Sequence, residues 1–399
     1  MPSEAELKAT LSSSATATDR EKEDAIVALG ALYRDQRDAA RLAEVITLSR
    51  GFMSSTAKAK TAKLIRTLLD FFHPIPGSTP VQVRVLEENI AWAKAEKRIF
   101  LKHSLETRLG ALYLELREYQ KALKLIDALL SELRRLDDKM ILTEVHLLES
   151  RVYQGIRNFA KAKAALTSSR TAANSIYCPP LLQASLDLQS GILHAEDKDW
   201  TTSYSYFYEA FEGFSASDAE RDALGAFKYM LLCKIMSNSP DDVAPLLAHK
   251  LGSKFATARA VEAMRAIAAA HKARDLGAFQ RALRAHTDEL QTDPTVRSHL
   301  AALFDTLLEQ NLLRIIEPYG VVEVEYIAAQ VGQSKVAVEA KLSQMILDKV
   351  LPGVLDQGRG CLLVYDEPEA DTSYGAAIDT LQQVGKVVES LYAKTVKIA

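Results

Sequence analysis

The chain has 399 residues, of which 48% are hydrophobic and 25% charged, with 49 Lys and Arg against 52 Asp and Glu and a formal net charge of -3. That composition excludes wholesale disorder and fibrous repeats, and the length allows two or three domains with sizeable cores. A near-neutral balance with interspersed signs excludes a protein that works mainly by neutralising phosphates, and abundant Ala and Leu with 7% aromatics favours helix over sheet.

Residues 1–20 are rich in Ser, Thr, Ala and Glu with little apolar periodicity, so a loose tail is expected there. The N-terminus has no apolar stretch of the signal-peptide kind. No window approaches the ~18 uncharged apolar residues that a membrane span needs. From about Glu21 to Asp293 the periodicity predicts helix after helix with short turns. Leu109, Leu112, Tyr113 and Leu116 recur at three and four, as do Ala122, Leu123, Ile126, Leu130 and Leu133.

An internal period sets the expected architecture. Leu109-Gly110-x-x-Tyr113 followed by Ala122 fits the skeleton of a tetratricopeptide repeat, and Leu29-Gly30-x-x-Tyr33 repeats its core eighty residues earlier. Tyr119, Phe159 and Trp200 step by 40 and 41, each three residues before a small residue: Ala122, Ala162 and Ser203. A ring at a turn wedges between helices, and a small residue one turn on lets them approach. Such pairs cannot bury their own apolar faces and must stack, which predicts a right-handed helical-repeat solenoid over 21–294. His73 to Gln82 holds three prolines and a glycine and is expected to be an exposed loop; Tyr177-Cys178-Pro179-Pro180 forces a second break.

The pattern changes after Pro294. Thr295 to Leu313 is an amphipathic helix, followed by a short apolar strand at Arg314-Ile315-Ile316, a turn at Pro318–Gly320, and helices through Ile327 and from Ser334. Two apolar runs around Gly358-Arg359-Gly360 signal a β-hairpin, completing the order of a winged helix over 295–366. Residues 367–399 are expected to form a linker and a final helix. Ala377, Leu381, Val384, Val388, Leu391 and Thr395 alternate at four and three, the seam of a coiled coil or bundle. A lone helix cannot bury such a seam; it either folds back on the winged helix or meets a partner chain.

Catalytic signatures are missing. The eight histidines are scattered with no HExxH, and the chain has no GxGxxG, P-loop or GxSxG. Cys178, Cys233 and Cys361 lie far apart and show neither zinc spacing nor a basic neighbour. No enzyme, metal or cofactor is expected. A winged helix invites a nucleic-acid reading, yet from Ile315 to Asp366 four basic residues face seven acidic ones. The apolar strand Cys361 to Tyr365, with Leu362, Leu363 and Val364, is instead expected to pair edge to edge with another chain. Lys58, Lys60, Lys63 and Arg66 form a basic ridge on one helix, readable as a solvated face or as a contact for an acidic partner.

A helical-repeat solenoid running into a winged helix and closed by a heptad helix resembles the PCI-domain family. Several strings (176–200, 205–214, 228–236, 307–319, 341–349 and 355–358) resemble, within it, the non-ATPase regulatory subunit 11 type of the 26S proteasome lid, from roughly Ala57 to the C-terminus. That resemblance implies a non-catalytic scaffold in the cytoplasm and nucleus, within a hetero-oligomeric complex. Its solenoid would touch the ATPase ring and the outer ring of the core particle, its winged helix other PCI lid subunits, and its last helix a shared bundle through Leu381, Val384, Val388 and Leu391. The paralogous COP9 signalosome subunit is the alternative reading.

Overall fold

A computed structural model describes residues 19–53, 58–250, 252–291, 293–366 and 372–396. The chain forms two compact units, one ending at Met264 and the other beginning at Arg265. The expected tail over 1–20 lies outside the described residues, except that Asp19 and Arg20 already belong to helix.

In the first unit helices α1 (Asp19–Gln36), α2 (Ala39–Met53), α3 (Lys58–Asp70), α4 (Thr79–Ala95), α5 (Ile99–Glu115) and α6 (Tyr119–Leu136) lead into α7 (Lys139–Gly155), α8 (Phe159–Asn174), α9 (Pro180–Glu196), α10 (Trp200–Ala216) and α11 (Glu220–Met236), with α12 (Val243–Ala248) after them. From α4 to α11 each helix packs on the next, and α5 also meets α7 as α7 meets α9. This one-and-two-ahead pattern is the stacking of a helical-repeat solenoid.

The turns explain the period. Arg117, Arg157 and Lys198 take left-handed φ values of 61°, 64° and 64°. The next residue then returns its N–H to the carbonyl five back: Glu118 to Tyr113 at 2.9 Å, Asn158 to Tyr153 at 2.9 Å and Asp199 to His194 at 3.1 Å. These are Schellman closures, which satisfy otherwise orphaned carbonyls. Asn158 Oδ1 also accepts the Lys161 N–H at 3.3 Å, and Asp199 Oδ1 that of Thr202 at 3.3 Å. One residue therefore closes a helix with its backbone and opens the next with its side chain. Asn158→Ala keeps the closure and loses the cap, so it should lower stability by about 1 kcal/mol, read from denaturant midpoints.

Tyr119, Phe159 and Trp200 are the first residues of α6, α8 and α10, and Ala122, Ala162 and Ser203 three places on are fully buried. The ring does act as a wedge: a Cβ on Gly155 would lie 2.6 Å from Tyr119 Cε1. The Leu-Gly pairs have the same purpose, since a Cβ on Gly30 would meet Leu68 at 2.9 Å and one on Gly110 would meet Leu148 at 2.8 Å. The proline-rich loop is less exposed than expected. Pro74, Pro76 and Gly77 face solvent, but Ile75 is buried in the core and Ser78 Oγ donates to the Phe72 carbonyl at 3.2 Å. One apolar residue between two prolines is enough to pull the loop down.

Helix α13 (Arg259–Ala273) spans the junction of the units. The second unit continues with α14 (Leu276–Ala285), α15 (Thr287–Gln291), α16 (Pro294–Ile316), β1 (Val321–Glu323), α17 (Val324–Val331), α18 (Lys335–Leu347), β2 (Gly353–Asp356), β3 (Cys361–Val364) and α19 (Thr372–Val396). Arg314-Ile315-Ile316 is not a strand. It completes α16 and buries Ile316, and the strand follows the Pro318–Gly320 turn instead. Three apolar residues are too short a run to tell strand from the last turn of a helix. The antiparallel sheet has the order β1-β3-β2, with Leu362 paired to Val322 on one side and Leu355 on the other. Leu362, Val322, Ile327, Leu342 and Met345 form the buried centre of this winged helix.

His271 in α13 and His299 in α16 are buried, and burial holds both imidazoles below their ordinary pKa; Arg274 adds to the effect at His271, while Asp293 opposes it at His299. A histidine with a depressed folded-state pKa favours the fold above its unfolded value and loses that contribution as pH falls through the folded one, because the unfolded chain then binds more protons. The denaturant midpoint should therefore fall as the pH drops below about 6.5, the unfolded-state value. The drop should shrink in a His271→Gln, His299→Gln double variant.

Candidate partner-binding surfaces

Helix α19 presents the clearest surface. Leu381, Val384, Val388 and Leu391 are 71%, 53%, 58% and 58% exposed, so the helix does not fold back to cover its seam. Tyr374, Ile378, Val387 and Tyr392 are equally bare. Tyr374, Ile378, Leu381, Gly385, Val388 and Tyr392 repeat the alternation of four and three, displaced by one turn and sharing Leu381 and Val388 with the first seam. Two overlapping seams make an apolar face wider than a two-stranded coiled coil uses, and suit a helix with more than one neighbour. The second seam was present in the spacing and was missed.

The winged-helix assignment needs correction. Leu362, Leu363 and Val364 belong to β3, the central strand, whose backbone pairs with β1 and β2. A strand bonded on both sides has no edge to offer, and Leu362 is fully buried. The outer strands are β1 and β2, with Val321 and Val354 at 59% and 48% exposure. A glycine turn shows that β2 and β3 form a hairpin but carries no sign of which of them a third strand joins. The lysines of α18 are partly neutralised within the fold, Lys341 Nζ lying 2.7 Å from Glu309 and Lys335 Nζ 4.0 Å from Glu339.

On α3, Lys60, Lys63 and Arg66 face solvent, whereas the side chain of Lys58 lies outside the described residues. Lys60 Nζ is 4.0 Å from Glu23, and the charge of Arg66 reaches Glu144 of α7. Part of the ridge is therefore met by the chain's own carboxylates.

Among the described residues one cluster has metal-ligand composition: His103, Glu106 and Glu132. Lys102 already provides its cation, with Nζ 2.7 Å from Glu132 and 3.7 Å from Glu106, and His103 Nε2 lies 3.2 Å from Glu132. The hydrogen bond from Lys102 holds Glu132 below its ordinary pKa, while burial raises Glu106. This is an ion-pair network linking α5 and α6. Burial pushes the Cys233 thiol up to about 12 and raises Cys178 too, with Asp187 and Glu144 adding to it, so neither is poised as a thiolate.

Known proteins supply the context for these surfaces. Residues 3–116 match the model of the 26S proteasome regulatory subunit RPN6 N-terminal domain, residues 283–366 the PCI domain, and residues 370–395 the 26S proteasome subunit RPN6 C-terminal helix domain. The first match begins well before Ala57, so the similarity reaches further toward the N-terminus than the quoted strings. A probable 26S proteasome regulatory subunit rpn6 of Schizosaccharomyces pombe is 53% identical over 371 residues, covering 93% of this chain and 88% of that protein. A 26S proteasome non-ATPase regulatory subunit 11 homolog of Arabidopsis thaliana is 49% identical over 95% of this chain and 90% of its own length. The 26S proteasome regulatory subunit RPN6 of Saccharomyces cerevisiae is 47% identical over 94% and 87%. With identity of this size along almost the whole length and the three domain models in order, the chain belongs to the 26S proteasome RPN6 (non-ATPase regulatory subunit 11) family.

Proposed function

We propose that the chain is a non-catalytic scaffold of the 26S proteasome lid, joining lid, ATPase ring and core particle for degradation of ubiquitinated proteins in cytoplasm and nucleus. The observation that carries this reading is α19. Its two apolar seams are exposed, and residues 370–395 match a helix domain named for a proteasome subunit. Leu381, Val384, Val388 and Leu391 then pack in a bundle with other lid subunits, and the outer strands β1 and β2 extend sheets with neighbouring PCI domains. The solenoid meets the ATPase ring and the outer ring of the core particle, with Lys60, Lys63 and Arg66 as a contact for acidic surface.

Affinity isolation of the tagged chain from its own cells, followed by mass spectrometry, tests this. The expected result is recovery of lid subunits, ATPases and core-particle subunits together with ATP-stimulated peptidase activity. Recovery of signalosome subunits in their place would keep the fold and overturn the function.

A further inference from the structure

A cavity of about 400 Å³ opens at the turn between α4 and α5 and the last turn of α6. Lys94, Lys97, Arg98, Lys102 and Arg135 line it, with Glu132 as the one carboxylate in its wall. Glu132 is taken up by Lys102 at 2.7 Å. Among the described residues no ion pair engages Lys94, Lys97 or Arg135. Lys102 is met by Glu132 and Glu106, so the positive charge left over at the cavity sits on Lys94, Lys97 and Arg135, whose mutual repulsion costs free energy.

The wall is not only basic. Ile99 and Leu136 line it at 47% and 50% exposure, and Phe100 beside them is 71% exposed. A hydrated small anion makes no use of such surface, whereas a bulky side chain does. Two of the cations are held in place beforehand: Arg98, 7% exposed, lies over the Trp92 ring at 5.0 Å, and Lys102 is anchored by Glu132 and Glu106. Pre-ordered side chains lose little entropy on binding.

We propose that this cavity is a docking site for an acidic peptide segment of a partner chain, whose one bulky apolar residue enters between Ile99 and Leu136 while its carboxylates meet Lys94, Lys97, Arg98 and Arg135. The site stands on these residues whichever complex the chain enters, and it is separate from the ridge on α3. About 400 Å³ accommodates one ring or branched side chain with its flanking backbone, not a folded element.

The test uses the full-length chain and a fluorescein-labelled nonapeptide of Asp and Glu around a central phenylalanine, followed by fluorescence anisotropy. Saturable binding that weakens with added salt is expected. Replacing the peptide's phenylalanine by serine should weaken it at least about fivefold, and the Lys94→Glu, Lys97→Glu double variant at least about tenfold. Should that variant fail to fold, Arg135→Glu reads the same site from α6. Lys121→Glu with Lys124→Glu, exposed near the other end of α6 and outside the cavity wall, should leave binding within about twofold. Absence of binding would overturn the proposal. So would equal affinity for the serine peptide with full displacement by tripolyphosphate, which would mean a small-anion site, or an equal loss in the Lys121→Glu, Lys124→Glu variant, which would mean diffuse attraction.

Discussion

Replacing Leu381 and Val388 together with aspartate is expected to abolish incorporation into the larger assembly while leaving the isolated chain folded. These two residues lie on both seams of α19, so one double substitution reaches the neighbours along either seam. In the isolated chain they are 71% and 58% exposed, and exposed positions change stability by no more than about 0.5 kcal/mol. In a bundle they are buried. Losing two such side chains forfeits about 1.5–3 kcal/mol each, and placing carboxylates in the same space adds a desolvation penalty. A total beyond about 4 kcal/mol weakens association about a thousandfold. The measurement is native gel or gradient sedimentation of extracts carrying the tagged variant, beside a thermal melt of the purified chain. Normal incorporation with an unchanged melt would remove α19 from the assembly interface.

The largest effect on folding is expected at Phe207 and Gly191, where α9 and α10 meet. Phe207 is 1% exposed, and its ring stacks on Tyr229 with centroids 5.1 Å apart. A Cβ on Gly191 would lie 2.7 Å from Cδ1 and Cε1 of that ring. Phe207→Ala should cost about 3–5 kcal/mol through lost burial and a cavity. Gly191→Ala should cost about 1–3 kcal/mol by the opposite route, because a methyl group enters where the ring already touches backbone. The double variant should cost less than the sum, since the new methyl occupies part of the space that Phe207→Ala empties. Denaturant unfolding of the four proteins measures this coupling, and strict additivity would show that the ring and glycine do not share the contact.

The two sites differ in how readily a sequence discloses them. Seam residues such as Leu381 and Leu391 are legible because an α-helix converts spacing directly into a face, with no other element needed. The repeat period was equally open to reading: Tyr119, Phe159 and Trp200 mark helix starts through a local turn closed by backbone bonds within six residues. The second seam through Tyr374, Ile378 and Tyr392 obeys the same rule, one turn away.

Local spacing and side-chain chemistry thus determined the solenoid period, the helix caps, the hairpin and the apolar seams, since each rests on contacts between near neighbours in the chain. Only the tertiary structure decided that β3 is the central strand, that Ile75 is buried beneath its loop, and that Lys94, Lys97 and Arg135 converge on one cavity. Those outcomes depend on which distant segments pack together. Strand order is set when Val322 pairs with Leu362 forty residues on, and a cavity's charge by two helices placing their ends side by side. Neither event leaves a mark in the residues that immediately surround it.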